Sequence, residues 1–175
     1  EKDISKLMKE SAEDLNKNQL KVLYIKTLEN DFSNISDQIL MWGKITGNQD
    51  SAIQLSEKFQ DQIENIQSKI NYQSESPKIF IDTTDLWTSG PNTLMGEVLE
   101  LLNLSNIAHD ISGYAQLNPE IIIERNPDFI ITPNPSTFKN NPAFQEISAV
   151  KNNKIFTLQS DALSVPGPRF PEGIN

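Results

Sequence analysis

Two aromatic residues occupy positions where a protein core does not require them, and both can contact a ligand. Trp87 stands in a polar segment, and Tyr114 is flanked by a glycine and an alanine. An indole ring can stack on a flat ligand, and a phenol can also donate a hydrogen bond. The structural alternative for Trp87 is that it covers the helix that begins near Leu94. Both interpretations remain open at this stage.

Glu120 and Arg169 are charged residues whose positions suit recognition. Glu120 falls in the first turn of a helix opened by Asn118 and Pro119, where the carboxylate can pair with an arginine of another protein. The helix dipole alone stabilises an acid there by about 0.3–1 kcal/mol. Arg169 is the only charged residue in the proline-rich loop of residues 165–170 and can bind an anion through two hydrogen bonds. Hydrogen bonds from Arg169 to loop carbonyls are an equally good explanation.

The chain lacks recognisable catalytic and metal-binding patterns. His109 is the single histidine and there is no cysteine, which excludes zinc–thiolate sites, disulfides and a cysteine nucleophile. No nucleophile or carboxylate is identifiable as a partner for His109, so a surface or half-buried histidine without a chemical role is favoured. Residues 89–92 lack the second glycine and the lysine of a phosphate loop and are better explained as a turn that caps the next helix. We expect no catalytic residue, no resident metal and no cofactor.

Length and charge narrow the class of protein. The 175 residues suffice for one domain with a real core, or one domain and part of another. The net charge of −9 argues against nucleic acid as a partner. No apolar run is long enough to span a membrane. The chain begins without methionine and ends just after Pro171 and Glu172, which are typical of a helix start, so we interpret it as part of a longer protein.

Two long helices, predicted for residues 32–47 and 48–72, organise the chain. Ile35, Ile39 and Trp42 share one face of the first helix. Gly47 provides the break between the helices. The second helix carries charged residues on one face and a packing stripe on the other, formed by Leu55, Phe59, Ile63, Ile66 and Ile70.

The rest of the chain predicts an α/β fold. A helix at residues 3–16 and a strand at 20–25 precede the helix pair. Short apolar strands follow, with helices at residues 94–102 and 118–125 between them; the strands are predicted at 79–81, 129–131 and 155–158. Such strands favour a parallel sheet covered on both faces, in a three-layer, Rossmann-like domain. A polar loop is predicted for residues 83–92 and irregular structure for 103–117.

Ligands of such sheets bind beyond the carboxyl ends of the strands. The loops that leave those ends are residues 82–92, 132–137 and 159–169. They are rich in Thr, Ser, Asn and Pro, and Trp87 and its neighbour Thr88 lie in the first of them. We therefore predict Trp87, Thr88, Tyr114 and Arg169 as ligand-binding residues.

Five segments occur in an order that resembles the substrate-binding proteins of ABC importers for ferric siderophores, haem and cobalamin. They are GKITGN at 43–48, TSGPNT at 88–93, QLNPE at 116–120, NPDFII at 126–131 and PGPR at 166–169. These proteins have two lobes joined by a long helix, and the ligand lies in the cleft between the lobes. The resemblance covers residues 20–175.

The resemblance implies a domain organisation and roles for particular residues. Residues 1–31 would be a helix and strand left from the N-terminal lobe, 32–48 the interlobe helix, and 49–175 the C-terminal lobe without its last helix. Trp87 and Tyr114 match positions of aromatics over the ligand, and Arg169 matches an arginine beside the cleft. Glu120 matches a glutamate that docks onto permease arginines. The acids and threonines of residues 82–86 match no pattern for one ligand.

The implied function is capture of a metal chelate outside the cytoplasm and its delivery to an ABC permease. An iron-siderophore is our first expectation, followed by cobalamin and haem, in the periplasm or at the outer face of the membrane with a lipid anchor. The alternatives are an α/β enzyme domain, such as a nucleotide-sugar transferase lobe, and a sensor domain on the same fold. An unpaired strand at residues 20–25 would favour an edge-paired or swapped dimer.

Overall fold

The computed structural model describes residues 34–70, 75–157 and 166–174. The helix predicted at residues 3–16 and the strand predicted at 20–25 lie outside these ranges. Among the described helices, none has both the length and the apolar composition needed to cross a bilayer.

The predicted pair of long helices is present as α1 (Ile35–Thr46) and α2 (Gln49–Lys69). Gly47 ends α1 with φ 76°, a left-handed conformation that glycine adopts without strain. Ile35, Ile39 and Phe59 are buried, as predicted.

Two residues predicted on the packed faces of these helices are exposed instead. Trp42 is 48% exposed and Leu55 is 38% exposed. The helices approach each other closely where Gly43 meets Ala52, because a Cβ built at Gly43 would lie only 2.3 Å from that of Ala52. Contact between small residues brings the backbones together, so the larger side chains flank the contact rather than fill it.

The remainder of the chain alternates short strands and helices. The strands are β1 (Lys78–Ile81), β2 (Trp87–Ser89), β3 (Ser105–Asn106), β4 (Tyr114–Gln116), β5 (Phe129–Ile131) and β6 (Ile155–Phe156). The further helices are α3 (Leu94–Leu101), α4 (Pro119–Arg125), α5 (Ser136–Lys139), α6 (Ser148–Lys151) and α7 (Phe170–Ile174), with a 3-10 turn at Pro142–Phe144. The predicted helices at 94–102 and 118–125 are confirmed.

Four of the described strands form a parallel sheet in the order β3-β1-β5-β6. One face of the sheet buries Phe80 and Ile130 against the side of the domain that carries α4, α5 and α6. The other face buries Ile79 and Ile81 against Leu99 of α3. Helix α3 also packs on α1, α2 and α7. The predicted three-layer α/β fold with a short parallel sheet is confirmed.

The sequence-based prediction was wrong for two connecting segments. Residues 83–92 and 103–117 were predicted to lack regular structure, but they contain β2, β3 and β4. Strands β2 and β4 pair with each other as an antiparallel ribbon separate from the parallel sheet. These strands are two or three residues long and mostly polar, so they lack the apolar run or alternation by which a strand is recognised.

Candidate ligand-binding ribbon and docking helix

The β2–β4 ribbon brings Trp87 and Tyr114 onto one face. Trp87 pairs with Gln116, and Tyr114 pairs with Ser89. Partners in an antiparallel pair project to the same side, so the two aromatics are diagonal neighbours, with Cα atoms about 7–8 Å apart in ideal geometry. Trp87 is 45% exposed and Tyr114 is 59% exposed. The ribbon thus presents two aromatic rings side by side to the surroundings.

Close backbone contacts hold this ribbon in place. The Gly90 N–H donates to the carbonyl oxygen of Gly113 at 2.7 Å, and the Gly113 N–H donates to Asn92 Oδ1 at 2.9 Å. A Cβ at Gly90 would lie 1.9 Å from the carbonyl oxygen of Ile111, so only glycine permits this approach. The turn then enters α3, whose N-cap Thr93 accepts a hydrogen bond from the Gly96 N–H. The cap is thus Thr93, which directly follows the predicted turn of residues 89–92, and its hydroxyl donates to the carbonyl oxygen of Gly90 at 2.8 Å.

Thr88 lies on the opposite face of the ribbon from the aromatics. It pairs with Ala115 and is 1% exposed. Its Oγ1 has no hydrogen-bond partner among the described residues. This position does not offer the hydroxyl to a ligand that stacks on Trp87.

A bidentate ion pair fastens the segment that precedes β4 to helix α4. Arg125 Nη1 and Nη2 donate to Asp110 Oδ1 and Oδ2, each at 2.7 Å, and Arg125 also donates to the carbonyl oxygen of Ile107. These hydrogen bonds lower the pKa of the Asp110 carboxyl from 3.8 to about 2. The same contact raises the pKa of Arg125. The ion pair therefore connects the α4 helix with the loop that leads to Tyr114.

Helix α4 carries Glu120 four residues after β4 ends. Asn118 is the N-cap and Pro119 the first helical residue, as predicted. Ile122 is completely buried, and the flanking Ile121 and Ile123 pack against the same core. Glu120 is exposed, so its carboxylate projects from the start of a helix that its apolar side anchors.

Arg169 lies in the segment that leads into the last described helix. It is exposed and immediately precedes α7, where Phe170 is buried in the core shared by α1, α2 and α3. Residues 166–168 line an apolar groove of about 320 Å³ with α1 and α2, and Trp42 and Leu55 lie in its wall. Within the described ranges, Trp87 and Tyr114 lie on the same face of the ribbon, and Arg169 directly precedes α7, which packs on the long helices.

Asp82 is a residue of this region that the sequence analysis left without a role. It follows β1 directly and is 3% exposed. Its Oδ2 accepts a hydrogen bond from Thr132 Oγ1 at 2.7 Å, and its Oδ1 accepts one from the Leu86 N–H at 2.9 Å. Burial raises the pKa of the Asp82 carboxyl, while these hydrogen bonds oppose the shift. An acid directly after an apolar strand was the signal available in the sequence.

The described residues contain no cluster suited to a bound metal ion. In those ranges, no three His, Asp or Glu residues come together as possible ligands. His109 is exposed, and the carboxylate of the adjacent Asp110 is engaged by Arg125.

A family model described as periplasmic binding protein matches residues 4–162. The chain belongs to this family, whose members act in transport outside the cytoplasm and are not enzymes. The resemblance inferred from the five segments is therefore confirmed, and the alternative of an α/β enzyme domain is wrong.

Particular relatives and one solved structure match half or more of this chain. The chain is 30% identical over 151 residues to YvrC, an ABC transporter substrate-binding lipoprotein of Bacillus subtilis, covering 82% of this chain and 48% of the relative. It is 32% identical over 94 residues to a cobalamin-binding protein of Halobacterium salinarum, covering 51% of this chain and 26% of the relative. A crystal structure of a possible iron-binding, periplasmic solute-binding protein from Staphylococcus epidermidis aligns with a TM-score of 0.79 and 27% identity, covering 93% of this chain and 66% of that one. The chain thus spans about half the length of the first of these relatives.

Proposed function

We propose that the whole protein is the substrate-binding component of an ABC importer and captures a metal chelate between two lobes. The observation that carries this proposal is the pair of exposed aromatics, Trp87 and Tyr114, on one face of a firmly held ribbon. Exposed aromatic rings suit a large, partly apolar ligand, because they supply contact area with little conformational entropy to lose. Family membership supports the transport class.

Within that class, an iron-siderophore is our first candidate, followed by cobalamin and haem. The Staphylococcus structure bears a description as possibly iron-binding, and the Halobacterium relative is named for cobalamin.

Each predicted site residue has a place in this proposal. Trp87 and Tyr114 contact the chelate, and Arg169 meets an anionic group of the chelate from another wall of the cleft. Thr88 supports the ribbon from its buried side. Glu120 docks the lobe onto arginines of the permease, since its exposed position is suited to a charge-assisted pair. Residues 32–48 form the interlobe helix, and residues 49–175 belong to the C-terminal lobe.

Absorption spectroscopy of the full-length protein tests the ligand class. The protein is incubated separately with a ferric hydroxamate siderophore, cyanocobalamin and haem, and then passed through a desalting column. Each chelate absorbs at its own wavelengths, and we expect one to be retained in stoichiometric amount. Retention of none of the three, by protein that is folded by circular dichroism, would contradict the proposal.

The same preparation separates transport from the remaining alternatives. Stimulation of reconstituted permease by the loaded protein supports an importer, whereas a ligand response without permease binding supports a sensor. The predicted edge-paired or swapped dimer depends on residues 20–25, outside the described ranges, and the comparisons give it no support. Light scattering of the 175-residue chain checks it.

A further inference from the structure

The turn that presents Trp87 adopts a conformation that its residues do not favour. Asp85 has φ 48° and Leu86 has φ 64°, so two consecutive non-glycine residues occupy the left-handed region. Such conformations persist only where surrounding contacts enforce them. For a leucine the left-handed region is particularly uncommon, because its side chain gives no local hydrogen bond to the backbone. Some feature must therefore hold this turn.

The backbone of the turn folds onto Trp87 itself. The Thr83 N–H donates to the carbonyl oxygen of Trp87 at 2.8 Å, and the Trp87 N–H donates to that of Thr84 at 2.8 Å. The amide of Gln116, which faces Trp87 across the ribbon, donates to the carbonyl oxygen of Asp85 at 2.8 Å. The direction of the Trp87 side chain thus depends on the geometry of residues 83–86.

The buried Asp82 carboxylate joins this turn to the sheet. One carboxylate oxygen accepts a hydrogen bond from the N–H of Leu86, the second strained residue. The other accepts one from the hydroxyl of Thr132, which directly follows β5. Thr132 is itself 1% exposed and its oxygen accepts the N–H of Asn134 at 3.1 Å. Since β1 and β5 are paired in the centre of the sheet, the carboxylate connects the turn to the two central strands.

We propose that Asp82 is a positioning residue of the binding face, which fixes the strained turn of residues 83–86 and thereby the direction in which Trp87 is presented. This inference rests on the proposed function of the aromatic pair. Asp82 does not touch the ligand, because its side chain is buried beneath the turn. Burial of a carboxylate costs folding free energy unless hydrogen bonds compensate for it. The two hydrogen bonds of Asp82 provide that compensation and also define the conformation of the turn.

The experiment follows Trp87 directly in full-length protein without ligand. Trp42 and Trp87 are the two tryptophans of this chain, so Trp42→Phe leaves Trp87 as its single reporter, and any tryptophan elsewhere in the full-length protein is likewise replaced by Phe. In this background, acrylamide quenching and fluorescence anisotropy are compared for Asp82→Ala and Asp85→Asn. Both variants remove one negative charge from the turn, but the Asp85 side chain is exposed.

We expect Asp82→Ala to increase the acrylamide quenching constant by about twofold and to lower the anisotropy, because the turn opens locally. Affinity for whichever of ferric hydroxamate, cyanocobalamin and haem binds should fall by about five- to tenfold. Asp85→Asn should leave both measurements at the parent value. Asp82→Asn, which retains an acceptor for the Leu86 N–H, should restore most of the loss.

Unchanged quenching and anisotropy in a folded Asp82→Ala variant would overturn the inference. If that variant does not fold, Thr132→Val decides, because it removes the hydroxyl that donates to the carboxylate and accepts from the Asn134 N–H, and leaves Asp82 itself in place. Parent-like quenching would then overturn the inference. The Trp87→Ala variant tests the function separately. A looser Trp87 in Asp82→Ala together with undiminished affinity in Trp87→Ala would support the positioning role and refute the binding role of the aromatic face.

Discussion

The apolar core on one face of the parallel sheet and the β2–β4 ribbon use aromatic residues in opposite ways. Phe80 and Phe138 are completely buried and meet edge to face, with ring centroids 6.0 Å apart. Trp87 and Tyr114 leave about half of their surface exposed on the ribbon. Burial of an aromatic contributes to folding in proportion to the area removed from water, and exposure forgoes that contribution. That core therefore uses its aromatics for stability, whereas the ribbon leaves its aromatics exposed at the surface.

The two regions are also held by different forces. The sheet is held by contiguous apolar packing on both of its faces. The ribbon depends on hydrogen bonds and close backbone approaches at Asp82, Gly90 and Asn92. Substitutions in the first region should change stability, and those in the second should change the geometry of the binding face.

The largest effect on stability is expected from Phe138→Ala. The side chain is completely buried between Phe80 and Phe144, so its removal leaves a cavity and should destabilise the domain by about 3–5 kcal/mol. Trp87→Ala should cost less, about 2 kcal/mol, since about half of the residue is already in water and only the buried half is lost. Urea denaturation of both variants checks the contrast, and equal losses would contradict it.

A smaller loss is expected from Gly90→Ala, which acts at the base of the ribbon. The new Cβ would meet the Ile111 carbonyl oxygen at 1.9 Å, and relief of this overlap by backbone movement should cost about 1–3 kcal/mol. Gly167→Ala is the matched control, because a Cβ there meets no described atom within 4 Å. Thermal unfolding of the two variants is the measurement. A Gly90→Ala variant as stable as Gly167→Ala would show that the close approach is not needed.

The ion pair of Asp110 and Arg125 predicts a defined dependence of stability on pH. The folded-state pKa of Asp110 is about 2, below its ordinary value of 3.8, so the pair stabilises the fold above that ordinary value. This contribution should be lost as the pH falls from about 4 through about 2. Asp110→Asn should remove this loss of stability between about pH 4 and pH 2. Asp61→Asn, at an exposed position of α2, should keep it. Denaturation midpoints between pH 2 and 5 check the result, and identical slopes in wild type and Asp110→Asn would contradict it.

The smallest effect on stability is expected from Glu120→Ala. The substitution removes an exposed charge from the first turn of α4, so the loss should stay under about 1 kcal/mol. Chelate affinity should remain within a few-fold, while association with reconstituted permease slows and loses salt sensitivity. Glu124→Ala, one turn further along the same helix, is the control. If Glu120→Ala weakens chelate binding with permease binding intact, Glu120 belongs to the cleft.

The parallel sheet could be predicted because its central strands are short runs of apolar residues. The runs at 79–81 and 129–131 are short, continuous and separated by helices, which leaves parallel pairing as the main solution. Helix α4 could also be predicted, since Asn118 and Pro119 are typical of the N-cap and the first position of a helix. These features depend on local sequence alone.

The ribbon could not be predicted because its order depends on contacts between distant residues. Trp87 was recognised as an unusual aromatic, but its direction is set by pairing with Gln116. Gln116 is distant in sequence, so no local pattern predicts this pairing. Asp82 carries no local sign that Thr132, fifty residues later, will donate to it. Trp42 was predicted to be packed but is exposed. Helical spacing shows that Trp42 shares a face with Ile35 and Ile39, but it does not show that the close contact at Gly43 leaves the Trp42 side chain in solvent.

The central claim is that the exposed aromatics of the ribbon bind the chelate, and one pair of titrations tests it most directly. Full-length Trp87→Ala and Phe156→Ala are titrated with the chelate that the spectroscopic screen identifies. Phe156 is the matched control, because it is 52% exposed but lies on the parallel sheet, where it stacks on Phe129. We expect Trp87→Ala to raise the dissociation constant at least about tenfold and Phe156→Ala to leave it within about twofold. Equal affinities for the two variants, or a larger loss in Phe156→Ala, would contradict the account.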